Sequence, residues 1–269
     1  MNDDDVADAL LAALDAGGTL APMSLSDPAF DIAAAHRVLD TLHRRRIAQG
    51  WKPVGRKIGF TNTTLWERYG VDRAMWSHVW DRTVVSAGDG RATLSLQGLV
   101  EPRIEPELVL KLRAPLPDGD DATAVLGAVE WIAAGFEIVQ SVFPGWRFGA
   151  PDCTAALGLH GRLVVGPPLL VDDTNRATLA GAMPDFTVTL LRDGEFVDTG
   201  VGANVLGAPT KALVHLRELL AQSGAFAPLA PGEIVTTGTL TDAFPVAPGQ
   251  VWTARYGTLG VRGIELAFR

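Results

Sequence analysis

Ile104-Glu105-Pro106-Glu107-Leu108-Val109-Leu110 carries two carboxylates into an apolar, β-branched run, the pattern of a strand opening. Side chains two residues apart on a strand share a face, so Glu105 and Glu107 project together and Pro106 faces the other way. Proline is compatible with a strand near its start or on an edge, which suits position 106. Two like charges on one face of an apolar strand repel unless a cation sits between them. An oxygen-preferring divalent ion, Mg²⁺ or Mn²⁺, meets that need; the plainer alternative is a solvated edge strand with two surface glutamates. A third acid, Glu137, lies in Gly135-Phe136-Glu137-Ile138-Val139, a short β-like run after a helix-like segment over residues 123–134. Three acids so placed have the form of a carboxylate metal site.

The bulk properties narrow the setting. A chain of 269 residues makes one large domain or two small ones. With 47% apolar and 20% charged residues, it has the composition of a globular protein. A net charge of −8 without a basic stripe argues against nucleic acid as a partner. The basic cluster Arg44-Arg45-Arg46 falls on a predicted helix and reads as a solvated face or an anion contact. The sole cysteine, Cys153, excludes an internal disulfide and fits a reducing compartment. Met1-Asn2-Asp3-Asp4-Asp5 is too acidic for a signal or transit peptide. The most apolar run, residues 122–139, contains Glu130 and Glu137 and does not make a membrane span. A cytoplasmic location is expected, and no P-loop or dinucleotide fingerprint calls for a nucleotide.

Val6, Leu10, Leu11 and Leu14 recur at helical spacing until Gly17-Gly18. A second helix is predicted over residues 31–49, with Asp31 as N-cap, Ile32, Ala35, Leu39, Leu42 and Ile47 as its stripe, and Gly50 as its end signal. His36 and His43 read as surface or packing residues. Lys57-Ile58-Gly59-Phe60 looks like a strand. A lysine there either snorkels to solvent or serves an anionic substrate or a proton transfer. Residues 64–69 read as a short helix. The aromatic Met75-Trp76-Ser77-His78-Val79-Trp80-Asp81 reads as a loop. Its tryptophans either wall an apolar substrate pocket or pack the N-terminal part on the body, and His78 is an acid–base candidate. Strands follow over 93–96, 104–112 and 160–165, with a polar loop over 114–121. Asp193-Gly194 signals a hairpin, Pro209 starts a helix that Gly224 ends, and strands close the chain over 234–238, 251–256 and 263–268. Seven tryptophans and many helix leucines suggest surface that needs covering, hence a homo-oligomer.

Five stretches, in this order, carry a family resemblance: Gly55-Arg56-Lys57-Ile58-Gly59-Phe60-Thr61; Glu105-Pro106-Glu107; Phe136-Glu137-Ile138-Val139; Gly232-Glu233-Ile234-Val235-Thr236-Thr237-Gly238-Thr239; and Gly257-Thr258-Leu259-Gly260-Val261. From about Pro22 to its end the chain resembles the fumarylacetoacetate hydrolase superfamily, in its branch of 2-keto-4-pentenoate hydratases and 2-oxo-acid decarboxylases. The resemblance implies an α+β fold. A β-rich fumarylacetoacetase C-terminal-like body of mixed, rolled sheets would span residues 56–269, with a helical lobe over 1–55. It implies that Glu105, Glu107 and Glu137 hold a divalent metal, usually Mg²⁺. It makes Lys57 the leading catalytic candidate, with Asp81 where relatives carry an acid. Trp76, His78, Asp152 and Thr239 become substrate-binding candidates. The chain departs from the pattern at Gln140-Ser141-Val142, where most relatives have an acid followed by Ser-Arg. It departs again at Ala156-Leu157-Gly158-Leu159-His160-Gly161, where they have a small polar run. His160 is thus either an added catalytic group or a histidine hydrogen-bonded in a turn.

The activity implied is metal-dependent hydration of a 2-hydroxy-2,4-dienoate to a 4-hydroxy-2-oxo acid, in the catabolism of aromatic compounds. Decarboxylation of an oxalocrotonate-like acid and hydrolysis of an acylpyruvate C–C bond need the same enolate. A non-catalytic binding member of the family is the remaining alternative.

Overall fold

A computed structural model describes residues 2–269; Met1 lies outside them. Helix α1 (Asp3–Ala16) starts on Asn2, whose side chain accepts from Asp4 N–H, and ends at Gly17 in the left-handed conformation. A single turn, α2 (Met23–Ser26), precedes α3 (Ile32–Ala48), which Asp31 caps by accepting from Ala34 N–H. The buried stripe of α3 is Ala35, Val38, Leu39, Leu42 and Arg46. Ile47, expected in it, is exposed, because the 3.6-residue period brings position 46, not 47, back to the seam. The basic cluster lies against α1: Arg45 pairs with Asp4 and Asp8, and Arg46 with Asp15. Arg45 and Arg46 thus form a helix–helix seam, whereas Arg44 stays solvated and pairs with Asp40 of its own helix.

The body contains β1 (Pro53–Gly59), β2 (Met75–Trp80), β3 (Val84–Ser86), β4 (Arg91–Leu94), β5 (Arg103–Leu112), β6 (Val129–Val139), β7 (His160–Val165), β8 (Leu169–Leu170), β9 (Thr187–Arg192), β10 (Glu195–Val201), β11 (Ile234–Thr236), β12 (Phe244–Pro245), β13 (Val251–Tyr256) and β14 (Ile264–Phe268). Between them run α4 (Trp66–Tyr69), α5 (Ala122–Gly127), α6 (Ala150–Ala155), α7 (Arg176–Ala182) and α8 (Pro209–Ser223). Nine strands form one sheet, in the order β2-β1-β11-β5-β6-β7-β3, with β12 added on β5 and β8 on β6. The other five form a second sheet, β10-β9-β13-β14-β4. Pairings β1–β11, β3–β7 and β4–β14 are parallel and the rest antiparallel, so both sheets are mixed. The Asp193-Gly194 turn closes the β9–β10 hairpin with φ of 54° and 87°, the positive values a two-residue hairpin needs.

Two expectations fail for one reason. Helix was expected over residues 123–134, but only α5 is helical and β6 begins at Val129. A loop was expected over 75–81, but β2 is a strand with all six residues buried. A strand covered on both faces reads as a continuous apolar run, which periodicity alone does not separate from a buried helix or an aromatic loop. Burial also removes the argument drawn from tryptophan. None of the seven is exposed, and Leu213, Leu216 and Leu220 of α8 are in the core. Among the described residues, no helix is long and apolar enough to cross a membrane.

Candidate active site

The β5–β6 ladder assembles the acids. Glu105 lies directly opposite Glu137, and Glu107 opposite Gly135. Directly opposed residues of an antiparallel pair share a face, and Glu107 follows Glu105 on it. One oxygen from each carboxylate therefore lies within 4.8 Å of the others. Lys57 joins them through register: it pairs with Thr236 of β11, which pairs with Val109, two residues beyond Glu107 on the same face.

Lys57 does not snorkel. It is 3% exposed, its Nζ donates to Gly158 O at 2.8 Å, and it lies 3.1 Å from Glu137 Oε2. Burial presses its pKa down, but Glu137, Glu105 and Glu107 together leave it above its ordinary value. Each carboxylate meets a different environment. Burial, with Glu137 nearby, pushes Glu105 up to about 7. Burial and the two neighbouring acids raise Glu107 well above its usual range. Burial also acts on Glu137, but Lys57 and the His160 hydrogen bond hold it down at about 2.

The donor set fits a divalent cation. Glu107 Oε2 accepts from the Thr236 hydroxyl and from Gly238 N–H at 2.7 Å, whereas its Oε1 is buried with no hydrogen-bond partner. Three acids face a single ammonium, an imbalance that an all-oxygen ligand set for Mg²⁺, Mn²⁺ or Ca²⁺ resolves. Thr236 and Gly238, which hold Glu107, were not singled out as site residues, although both stand in the quoted Gly232–Thr239 stretch. Gly238 has φ of 97°, and a Cβ there would meet Thr61 Oγ1 at 1.8 Å; glycine lets this backbone, whose N–H serves Glu107, pack against Thr61.

Beside the carboxylates, Lys57, Glu105, Asn62 and Thr239 share a pocket with Phe60, Leu65, Tyr69, Val139, Trp146 and Leu159. Lys57 is the one cation among these lining residues. Arg103, two residues before Glu105 on β5, is not among them; it donates to Tyr69 OH at 2.7 Å and stacks 4.2 Å from the Trp146 ring centre. Eight non-glycine residues among those described have positive φ, and Phe60, Trp146 and Leu159 of this pocket are three of them. Backbone strain of this kind gathers where a site over-determines the chain. Phe60, Tyr69 and Trp146 were missed because they follow a strand, end a one-turn helix and lie in a short turn, segments too short to carry a periodic signal.

The remaining sequence candidates fall in different places. Trp76 and His78 alternate with Ser77, the partner of Lys57, so they point to the opposite side of β2. There His78 stacks on His43 of α3 at 3.8 Å and Trp76 packs edge-on against Phe226; neither lines the pocket of Lys57. Asp81 is exposed past the end of β2, where it accepts from Lys52 N–H at 3.0 Å. Asp152 is buried, but its carboxylate is taken up by Ser24 N–H, the Ser24 hydroxyl and Gly149 N–H. It ties α2 to α6 and offers no free oxygen. Thr239 lines the pocket with its hydroxyl donated to Thr241 O. His160 is 3% exposed and bridges Glu137 Oε1 and Thr83 Oγ1, each at 2.8 Å.

No family model matches the chain. The 2-keto-4-pentenoate hydratase of Paraburkholderia xenovorans (strain LB400) is 30% identical over 259 residues, 96% of this chain and 92% of that protein. The 4-oxalocrotonate decarboxylase of Pseudomonas sp. (strain CF600) is 31% identical over 231 residues, 85% of this chain and 83% of that protein. Among solved structures, 4-oxalocrotonate decarboxylase from Pseudomonas putida G7, complexed with magnesium and adipate, superposes with a TM-score of 0.87 at 25% identity, covering 100% of this chain and 99% of that one. These likenesses run through both sheets and the N-terminal helices, and the chain belongs to the fumarylacetoacetate hydrolase superfamily, in its branch of 2-keto-4-pentenoate hydratases and 4-oxalocrotonate decarboxylases.

Proposed function

We propose that the protein is a divalent-metal-dependent hydratase of 2-hydroxy-2,4-dienoates, with Mg²⁺ or Mn²⁺ held by Glu105, Glu107 and Glu137. The observation that carries this reading is the convergence of three carboxylates, two of them with a buried oxygen that has no hydrogen-bond partner, beside a single buried lysine. A bound ion would supply Lewis-acid stabilisation of negative charge building on the 2-oxygen of the substrate. The chain's own residues do the rest. Lys57 Nζ is placed to hold the substrate carboxylate or to move a proton at the neighbouring carbon, since it already bridges Gly158 O and Glu137. Phe60, Leu65, Tyr69 and Trp146 wall the tail of the substrate and exclude bulk water from it.

A specific observation bears on the choice between hydration and decarboxylation. An oxalocrotonate-type substrate carries a second carboxylate at its far end. The lining residues offer no cation there, Lys57 being engaged at the carboxylates; an uncharged dienoate tail suits such a wall better. The decarboxylase reading rests on the decarboxylase relatives and would need Arg103 to turn inward from Tyr69. The test is turnover of 2-hydroxypenta-2,4-dienoate, 2-hydroxyhexa-2,4-dienoate and 4-oxalocrotonate, each with Mg²⁺, with Mn²⁺ and with EDTA. Ion-dependent hydration of the dienoates supports the proposal. Turnover of 4-oxalocrotonate alone replaces it with decarboxylation, and activity indifferent to EDTA removes the metal.

A cytoplasmic homo-oligomer is part of the same proposal. Strand β10 ends its sheet with Phe196 and Val201 exposed, an apolar edge of the kind another copy covers. Sedimentation as a 28.5 kDa monomer would remove the oligomer.

A further inference from the structure

We propose that His160 is a positioning residue, which occupies one oxygen of Glu137 so that only the other is left for a metal ion. The inference rests on the metal reading of the three carboxylates given above.

A break in strand register puts the ring there. Leu163 lies opposite Glu137 and Arg162 opposite Ile138, but the register then shifts and His160 lies opposite Val139. In an unbroken strand, alternation from Leu163 would bring Gly161 to the face of Glu137 and send His160 away from it. The extra residue makes a β-bulge, a device that re-aims a side chain by one position, and His160 turns onto the face of Glu137 and Val139. The bulge is open to glycine alone: a Cβ at Gly161 would meet Ile138 O at 2.6 Å.

Both ring nitrogens are then tied down. Nδ1 lies 2.8 Å from Glu137 Oε1, and since an ionised carboxylate can only accept, Nδ1 carries the proton. Nε2 lies 2.8 Å from Thr83 Oγ1, so with Nδ1 protonated the Thr83 hydroxyl donates to Nε2, and its oxygen accepts from Trp80 N–H at 3.3 Å. A rigid column thus runs from the backbone at the end of β2, through Thr83 and His160, to one oxygen of a candidate metal ligand. With Oε1 committed, Glu137 is a one-oxygen ligand through Oε2, the atom now 3.1 Å from Lys57. A chelating Glu137 would close a position that the substrate needs on an octahedral ion.

The experiment is titration of the purified protein with Mn²⁺ alone, without substrate, following free and bound ion by electron paramagnetic resonance. Melting temperatures of the ion-free proteins are recorded beside it. Removing an outer hydrogen-bond partner of a ligand typically weakens metal affinity by about 10–100-fold. His160→Ala and His160→Phe, the second of which refills the volume, should both show that loss and a changed bound-Mn²⁺ spectrum. His160→Gln, whose amide N–H can donate to Glu137, should recover most of the affinity, and Thr83→Val should fall between. Equal affinity and identical spectra in wild type and His160→Phe overturn the proposal. So does a loss shared equally by Gln, Ala and Phe, which would mean that an N–H donated to Glu137 from this position does not set the affinity. Wild-type protein that binds no Mn²⁺ removes the metal reading itself, and this inference with it.

Discussion

Lys57 Nζ stands 3.1 Å from Glu137 Oε2, with both side chains withdrawn from water. It is the one ammonium among three carboxylates, so it partly compensates a charge that an ion would otherwise meet. Removing one partner of a buried pair costs about 3–5 kcal/mol, because the other charge is left uncompensated.

Lys57→Met should therefore melt earlier than wild type when free of metal, and Mg²⁺ or Mn²⁺ should return most of the difference. With the ion bound, turnover should fall by about 10² or more, the scale of a lost proton-transfer group or anion contact. Lys57→Arg should not restore it, since a guanidinium does not give up its proton near neutrality. Melts with and without EDTA, beside steady-state kinetics, check both halves. Normal turnover in Lys57→Met would leave the lysine a structural cation only.

Glu107→Gln should act in opposite directions on stability and on binding. Burial and its acidic neighbours make the Glu107 carboxylate costly to ionise, so a neutral amide should raise the melting point of the ion-free protein. The same change removes the ligand whose Oε1 has no partner, so calorimetric titration with Mg²⁺ or Mn²⁺ should show severely weakened binding. Unchanged affinity would detach Glu107 from the metal.

The carboxylate trio was legible because strand alternation is local: Glu105 and Glu107 share a face whatever the rest of the chain does. Their meeting with Glu137 depends on the pairing of β5 with β6, which the residues alone do not specify, and there the family resemblance supplied the link. Lys57 was ambiguous for a similar reason. Its neighbours allow either a snorkelling or a buried lysine, and only the parallel pairing of β1 with β11 decides between them. Trp76 and His78 were placed at the substrate because residues 75–81 were read as a loop. Once they form a strand, alternation with Ser77 sends both to the far side. The bulge at Gly161 was invisible, since register belongs to two strands at once.

Asp152 gives a prediction of the opposite kind from the site acids. Its carboxylate accepts from Ser24 N–H at 3.0 Å, from the Ser24 hydroxyl and from Gly149 N–H at 2.8 Å, so it joins α2 and α6. Asp152→Asn keeps the shape but weakens charge-assisted bonds and presents a donor where two N–H groups already point. A stability loss of about 1–3 kcal/mol is expected in urea unfolding, with KM of the folded variant within about a factor of two of wild type. A large rise in KM with unchanged stability would return Asp152 to the substrate site.

His78 should make the fold acid-sensitive independently of any metal. Burial, reinforced by Arg56 and His43, holds its imidazolium pKa down at about 2, against about 6.5 in an unfolded chain. A depressed folded value means that the unfolded chain binds the proton more readily. The stabilisation is present above pH 6.5 and is lost progressively as pH falls from there toward 2. The slope is about 1.4 kcal/mol per pH unit for one group. Glu105, raised to about 7 by burial in the ion-free protein, titrates with the opposite sign over part of this range, so wild type alone is a poor test. His78→Phe cancels that background, because it keeps an aromatic ring beside His43 and removes only the titrating nitrogens. Urea unfolding at pH 7 and pH 5 should show the variant gaining about 2 kcal/mol on wild type over the interval. Parallel pH dependence in the two proteins would mean that His78 can take up its proton without leaving the fold, and that the stack between β2 and α3 opens more easily than its burial implies.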